Sequence, residues 1–191
     1  MTTRKKKVDI LGTRTKFQAQ REMLVNALSY HSTFNVLSEA VQNAIDAIYN
    51  TAGNKGNLQI EICCGIGTIK VRDDGTGMSR DVLERHISPG WSTKQVDGED
   101  HGKLGYGSAH VASMSNEITI KSRQRQSSGG TLYGNIKNMR EWILDYKNKK
   151  KVEMPLFEVW EDKKDNRFRG TEITISLPLD HPIFKYSGDE I

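Results

Sequence analysis

Near Asn50 the apolar pattern of the chain changes period, and that change restricts the fold more than any other feature. Before it, Val36, Leu37, Ala40, Val41, Ala44, Ile45 and Ile48 recur at three- and four-residue steps, which predicts a helix over 36–49 with one apolar stripe. Thr51-Ala-Gly-Asn-Lys-Gly56 then ends the helix with turn chemistry. After the turn, Leu58, Ile60 and Ile62 alternate with polar residues, Gly65-Ile66-Gly67 reverses the chain, and Ile69 and Val71 resume the alternation. That is the pattern of a β-hairpin. A helix with one apolar stripe beside strands with one apolar face can bury both only by packing one on the other.

The rest of the chain repeats the theme. Phe17, Met23, Leu24, Ala27 and Leu28 predict an earlier amphipathic helix over 16–31. Ser79 is placed to cap a short helix ending near His86, with Asp81 in its first turn, where a negative charge suits the helix dipole. Residues 88–101 form a polar, glycine-punctuated loop that is long for a passive connection and reads as a lid or binding loop. A helix over 108–114 follows, then strands over 117–122, 131–136, 156–160 and 171–177, with a helix over 139–146 between the second and third. No repeat or linker divides the chain. The expected organisation is a basic N-terminal segment (1–15), a single domain (16–180) and a tail (181–191). Its class is α/β in the sense of an α+β two-layer sandwich, with helices on one face of a mixed, mostly antiparallel sheet.

With 191 residues, a single core buries roughly 70% of the unfolded chain's surface and needs no staple. A composition of 36% hydrophobic and 27% charged residues excludes disordered and collagen-like chains. No run approaches a membrane span or a signal core, so a cytoplasmic protein is expected. Cys63 and Cys64 are adjacent in a strand-like run, which suits neither a disulfide framework nor a zinc site; two buried thiols are expected. The net charge of +4 is mild. Basic clusters at 4–7, 121–125 and 147–151 could touch nucleic acid or an anionic ligand, but no aromatic residues are interleaved, so solvated termini and loop tips are the default.

Three constellations carry chemistry. Glu39 and Asn43 stand four residues apart on one face of the 36–49 helix, with Asp46 one step further, beside the apolar stripe. A carboxylate and an amide there are costly to desolvate unless something satisfies them. Asp73-x-Gly75-x-Gly77 directly follows a strand: its carboxylate can accept from an exocyclic amine, and its glycines permit positive φ and close approach of a ligand. Gly102-x-x-Gly105-x-Gly107 runs into a helix, where free N–H groups and the dipole suit a phosphate, and Lys103 or Lys94 could add charge. Its mid-chain position after a loop argues against a Rossmann fingerprint. His86, His101, His110 and His181 lack metal-ligand spacing and are assigned surface or packing roles.

In this order the segments resemble the GHKL superfamily of ATP-binding domains: gyrase B subunits, ninety-kilodalton heat-shock chaperones, histidine kinases, mismatch-repair ATPases of the MutL type and microrchidia proteins. Ser38-Glu-Ala-Val-Gln-Asn-Ala-Ile-Asp-Ala47 resembles the family's N-box, Asp73-Asp-Gly-Thr-Gly-Met78 its first glycine box and Gly102-Lys-Leu-Gly-Tyr-Gly-Ser108 its second. Arg169-Gly-Thr-Glu-Ile-Thr-Ile175 is similar to its late Gly-Thr strand. Ile87-Ser-Pro-Gly-Trp-Ser-Thr-Lys94 is similar to the lid entry of the chaperone, gyrase, microrchidia and mismatch-repair branches. The resemblance spans about 36–177 and implies a Bergerat-type ATP-binding fold.

It also implies roles. Asn43 would hold a Mg2+ ion bridging the phosphates of ATP, and Asp73 would accept from the adenine amino group with Thr171 in support. Gly75, Gly77 and Met78 would line the base pocket. Gly102, Lys103, Leu104, Gly105, Tyr106 and Gly107, with Lys94, would surround the triphosphate. Glu39 would polarise the attacking water as the catalytic residue, and Asp46 would stabilise the site by hydrogen bonding. The implied function is a Mg2+-dependent ATP-binding domain that hydrolyses ATP slowly and acts as a nucleotide-controlled conformational or dimerisation switch. Its implied partners are a protein supplying the transducing domain and, on ATP binding, a second copy of the chain; nucleic acid is a weaker candidate and no membrane is implied. Two alternatives stay open: a small serine kinase of the anti-sigma-factor type, and a nucleotide-dependent interaction module without hydrolysis.

Overall fold

The computed structural model describes residues 6–8, 35–89 and 107–185. The expected helix over 16–31 and the polar loop from Gly90 to Tyr106 lie outside the described residues. In chain order the elements are β1 (Lys6–Val8), α1 (Asn35–Tyr49), β2 (Leu58–Cys63), a short 3-10 turn (Cys64–Ile66), β3 (Thr68–Asp73), α2 (Arg80–Arg85), α3 (Gly107–Met114), β4 (Glu117–Arg123), β5 (Thr131–Lys137), α4 (Met139–Lys147), β6 (Phe157–Asp162), β7 (Gly170–Ser176) and a second 3-10 turn (Pro182–Phe184). The strands form one sheet in the order β1-β6-β5-β4-β7-β3-β2. Every pairing among the described residues is antiparallel.

Alternation along the strands puts one row of side chains under the helices: Val71, Ile173, Ile120 and Gly134 face each other in register across β3, β7, β4 and β5, and all four are buried. On the opposite face Lys70, Lys121, Glu172 and Thr174 meet solvent, and Tyr133 stacks on Trp160 with ring centroids 5.4 Å apart. The apolar stripe of α1 packs on β3 and β7, while α2 packs on β5 and β6. Ser79 caps α2 by accepting from the Val82 N–H at 3.3 Å, as its position in the sequence predicts.

Gly134 shows how tightly the two layers meet. A Cβ there would lie 2.4 Å from Phe157 Cζ and 3.3 Å from Leu83 Cδ1, so the missing side chain makes room for both. Phe157 is fully buried. Phe157→Ala should therefore lower stability by about 3–5 kcal/mol, since losing the ring leaves a cavity where Gly134 has no side chain to fill it; urea denaturation checks this, and a loss below about 1 kcal/mol would mean the core repacks.

One expectation fails at the sheet edge. Cys63 is half-buried and Cys64 exposed, both as free thiols, rather than buried. Cys63 ends β2 and Cys64 opens the 3-10 turn after it; among the described residues β2 is the outermost strand of the sheet and pairs with β3 alone. Ile60 and Ile62 lie in register with the core residues Val71 and Ile69, yet keep 44% and 43% of their surface exposed. A period-two pattern reports which face a side chain points to and not whether anything covers it.

Candidate functional site

The N-terminal half of α1, the end of β3, the C-terminal end of α2 and the start of α3 converge over the centre of the sheet. Asp73 is the last residue of β3 and Thr171 lies opposite it on β7. Two adjoining cavities run between these elements. One is lined by Asp73, Thr171, Met78, Val71, Ala44, Ala40, Asn43, His86 and Ile173. The other continues past Asn43 and His86 to Ser108 at the start of α3, over a floor of Ile118, Ile120 and Ile173.

Asp73 and Asp74 are neighbours in sequence and opposites in environment. Asp73 is 4% exposed, and burial raises its pKa from 3.8 to about 6 even though the Gly75 N–H donates to its Oδ1 at 2.8 Å. Asp74 points outward and accepts from the Asn57 backbone N–H at 2.7 Å and its side-chain amide at 2.8 Å, which holds its carboxyl below the usual range. Arg125 clamps the same turn, its Nε donating to the Asp74 carbonyl at 3.0 Å and the Gly75 carbonyl at 3.2 Å. The first carboxylate is thus held over an apolar cavity at an energetic cost, and the second fixes the turn that keeps it there.

The glycines around it are dictated by backbone proximity. A Cβ on Gly75 would lie 2.6 Å from the Ala47 carbonyl carbon at the end of α1. Gly77 has φ +68°, and a Cβ there would run into the Arg123 carbonyl of β4. The Met78 N–H then donates to Ser122 Oγ at 2.8 Å, and Ser122 shares a 3.0 Å hydrogen bond with Thr171 Oγ1. Ser122, unremarked in the sequence, ties the first glycine box to the Gly-Thr strand. Its signal was a hydroxyl on the buried face of β4, among isoleucines, where it needs a partner.

Glu39 and Asn43 lie on the same side of α1, facing the start of α3. A Cβ on Gly107 would collide with the Glu39 carboxylate, so the N-box and the second glycine box meet at this point. Asn43 Nδ2 donates to Ser108 Oγ at 3.4 Å. Asp46 stands apart: Gln42 Nε2 donates to its Oδ1 at 2.9 Å, and it lines neither cavity. Lys94, Gly102, Lys103, Leu104, Gly105 and Tyr106 lie outside the described residues.

His86 adds to the sequence reading. It is half-buried, as a packing residue would be, and it also lines both cavities, with Nε2 3.3 Å from Ser108 Oγ. Burial pushes its pKa down to about 4, so the ring is neutral near pH 7. The donor set suits Mg2+ better than a softer metal. It offers an amide oxygen at Asn43, and no cluster of three His, Cys, Asp or Glu side chains exists among the described residues to form a protein-only cage.

The family described as histidine kinase-, DNA gyrase B- and HSP90-like ATPases matches residues 28–181. The chain is also 33% identical over 117 residues to the DNA mismatch repair protein MutL of Thermosipho melanesiensis, covering 57% of this chain and 20% of that protein. The chain thus spans about a fifth of the length of that relative. No helix among the described residues is long and apolar enough to cross a membrane. The matched segment contains every described element from α1 to β7, and with it Glu39, Asn43, Asp73 and Thr171. The chain belongs to the GHKL family of ATP-binding domains.

Proposed function

We propose that this protein binds ATP with Mg2+ in the cavity between α1 and the β3–β7 pair, hydrolyses it slowly, and uses the bound nucleotide as a switch. The observation that carries this reading is Asp73: a carboxylate 4% exposed over an apolar floor, held by the Gly75 N–H and facing the same cavity as Asn43. A buried acceptor of that kind suits the amino group of adenine. Gly75, Gly77 and Met78 border the base, and Thr171 supports Asp73 from β7.

Asn43 would hold the Mg2+ ion, which supplies charge neutralisation across the phosphates. The triphosphate would lie along the start of α3, whose free N–H groups favour an anion. Lys94, Gly102, Lys103, Leu104, Gly105 and Tyr106 would enclose it. Glu39, beside Gly107, is placed to orient a water molecule and accept its proton, general-base help worth roughly 10²- to 10⁴-fold. Asp46, bonded to Gln42 on the outer part of α1, would stabilise that helix face without touching substrate. The ATP-binding domain would extend over 16–180, work in the cytoplasm, and pass nucleotide-dependent closure to a second copy or to a partner protein carrying the transducing part. The similarity to a mismatch-repair protein supports a partnered switch of this kind.

Glu39→Ala should reduce ATP turnover by at least about a hundredfold while leaving ATP affinity within a few fold, whereas Asn43→Ala should weaken both. Equal turnover in all three proteins would overturn the assignment. Turnover per protomer should rise with protein concentration if the second copy completes the site. Labelled phosphate appearing on a partner protein instead of in solution would favour the kinase alternative.

A further inference from the structure

We propose that His86 is a positioning residue: as the last acceptor in a hydrogen-bond chain from Asn43 through Ser108, it fixes which end of the Asn43 amide faces the cation. This rests on the reading that the site takes Mg2+ with ATP.

The chain has two links. Asn43 Nδ2 donates to Ser108 Oγ at 3.4 Å, and Ser108 Oγ lies 3.3 Å from His86 Nε2. A serine hydroxyl has one proton to give. In the tautomer of the His86 ring protonated at Nδ1, Ser108 Oγ accepts from Asn43 and gives its one proton to the unprotonated Nε2, and that tautomer is the one assigned to His86. Both links are long, so their effect is directional: they choose an orientation more than they add stability.

The orientation matters because the two ends of an asparagine amide are chemical opposites. Hard divalent cations take oxygen and reject an NH2 group. With the NH2 end tied to Ser108, Oδ1 is turned away from α3. If nothing accepted the Ser108 proton, the hydroxyl could rotate and donate to Oδ1, and the amide could turn over and present donors where the cation needs an acceptor. His86 is well placed to prevent this. It lies one residue past the end of α2, adjoins the fully buried Ile87, and borders both cavities beside Asn43.

The test compares ATP affinity with Mg2+ and in EDTA for the whole chain. The quantity read is the Mg2+ advantage, the ratio of the two dissociation constants. His86→Leu and Ser108→Ala should each reduce that advantage about tenfold, as expected for one lost hydrogen bond to an oriented ligand, with EDTA affinities within about twofold of wild type. The double variant should lose no more than either single one. His86→Gln, whose Oε1 can accept the same proton, should recover the advantage to within about threefold. If His86→Leu does not fold, Ser108→Thr should keep the advantage that Ser108→Ala loses. An unchanged Mg2+ advantage, an equal loss in EDTA, or additive losses in the double variant would overturn the proposal. A wild-type chain that binds no ATP in either condition would instead overturn the underlying reading of the site.

Discussion

Asp73→Asn should weaken ATP binding by at least about a hundredfold and, near pH 8, make the free protein more stable. Both effects have one origin. The Asp73 carboxylate is 4% exposed, and its pKa is raised from 3.8 to about 6, so keeping it ionised in the fold costs on the order of 3 kcal/mol. Asparagine keeps an oxygen for the backbone donors of the carboxylate, the Gly75 N–H at 2.8 Å from Oδ1 and the Thr171 N–H, and sheds the buried charge, whose cost exceeds that of sharing one oxygen between them. It also places an NH2 group in the pocket, where the proposed adenine amine would need an acceptor.

The pH dependence gives the sign. The folded pKa lies above the unfolded one, so the stability tied to Asp73 is fully present below about pH 4 and is lost as pH rises through 6. The variant's advantage over wild type should therefore be small near pH 4, grow up to about pH 6 and stay level above it. At the plateau it should reach about 1–3 kcal/mol, or several degrees in Tm. Thermal unfolding of both proteins across this range, with ATP titrations near pH 8, checks the pair of effects. A variant that still binds ATP like wild type, or is less stable at every pH, would place the base elsewhere. His86 tilts the wild-type curve the other way, since its folded pKa is lowered to about 4 and its contribution is lost as pH falls from 6.5. The comparison with Asp73→Asn removes that background.

Gly77→Ala should be among the most damaging methyl additions near the site. Its φ of +68° is strained for any side chain, and its Cβ would meet the Arg123 carbonyl, which is part of the sheet and has no room to yield. Left-handed strain and backbone overlap together should cost about 3–5 kcal/mol. Gly53 supplies the control: its φ is +85° but nothing lies within 4 Å of an added Cβ. Gly53→Ala should cost only the conformational part, about 1–2 kcal/mol. Chemical denaturation of the two variants separates the terms, and equal losses would remove the contact with β4 from the explanation.

Much of this architecture was legible in the sequence, because amphipathic period reports local structure directly. The stripe from Val36 to Ile48 became α1, and Ser79 became the cap it was expected to be. Asp73 alone reads equally as an ordinary Asp-Gly turn after a strand; it could be singled out because the segments around Asn43 and Gly107 flank it in order. What escaped notice depends on contacts remote in sequence. Ile60 is exposed because β2 has no outer neighbour among the described residues, Cys64 because it opens the turn after that strand, and strand order is absent from a pattern of alternation. His86 looked ordinary because Ser108, its hydrogen-bond partner, is 22 residues away across the long polar loop. Ser122 gained its role only when β4 met β7.

The strand order also bears on how the site comes into being. β7 is the last described strand in the chain but sits in the middle of the sheet, between β4 and β3. Until it inserts, β3 and β4 each present an unpaired edge, and Asp73 has no Thr171 opposite it. Such long-range closure is slow compared with the local β2–β3 and β4–β5 hairpins. The cavity beside Asp73 is therefore a late product of folding, and a chain emerging from the ribosome acquires it only when residues 170–176 are free to take their place between β4 and β3. Until then the two open edges are the most aggregation-prone surfaces of the sheet. A ligand that grips Asp73 would hold closed the step that folding completes last.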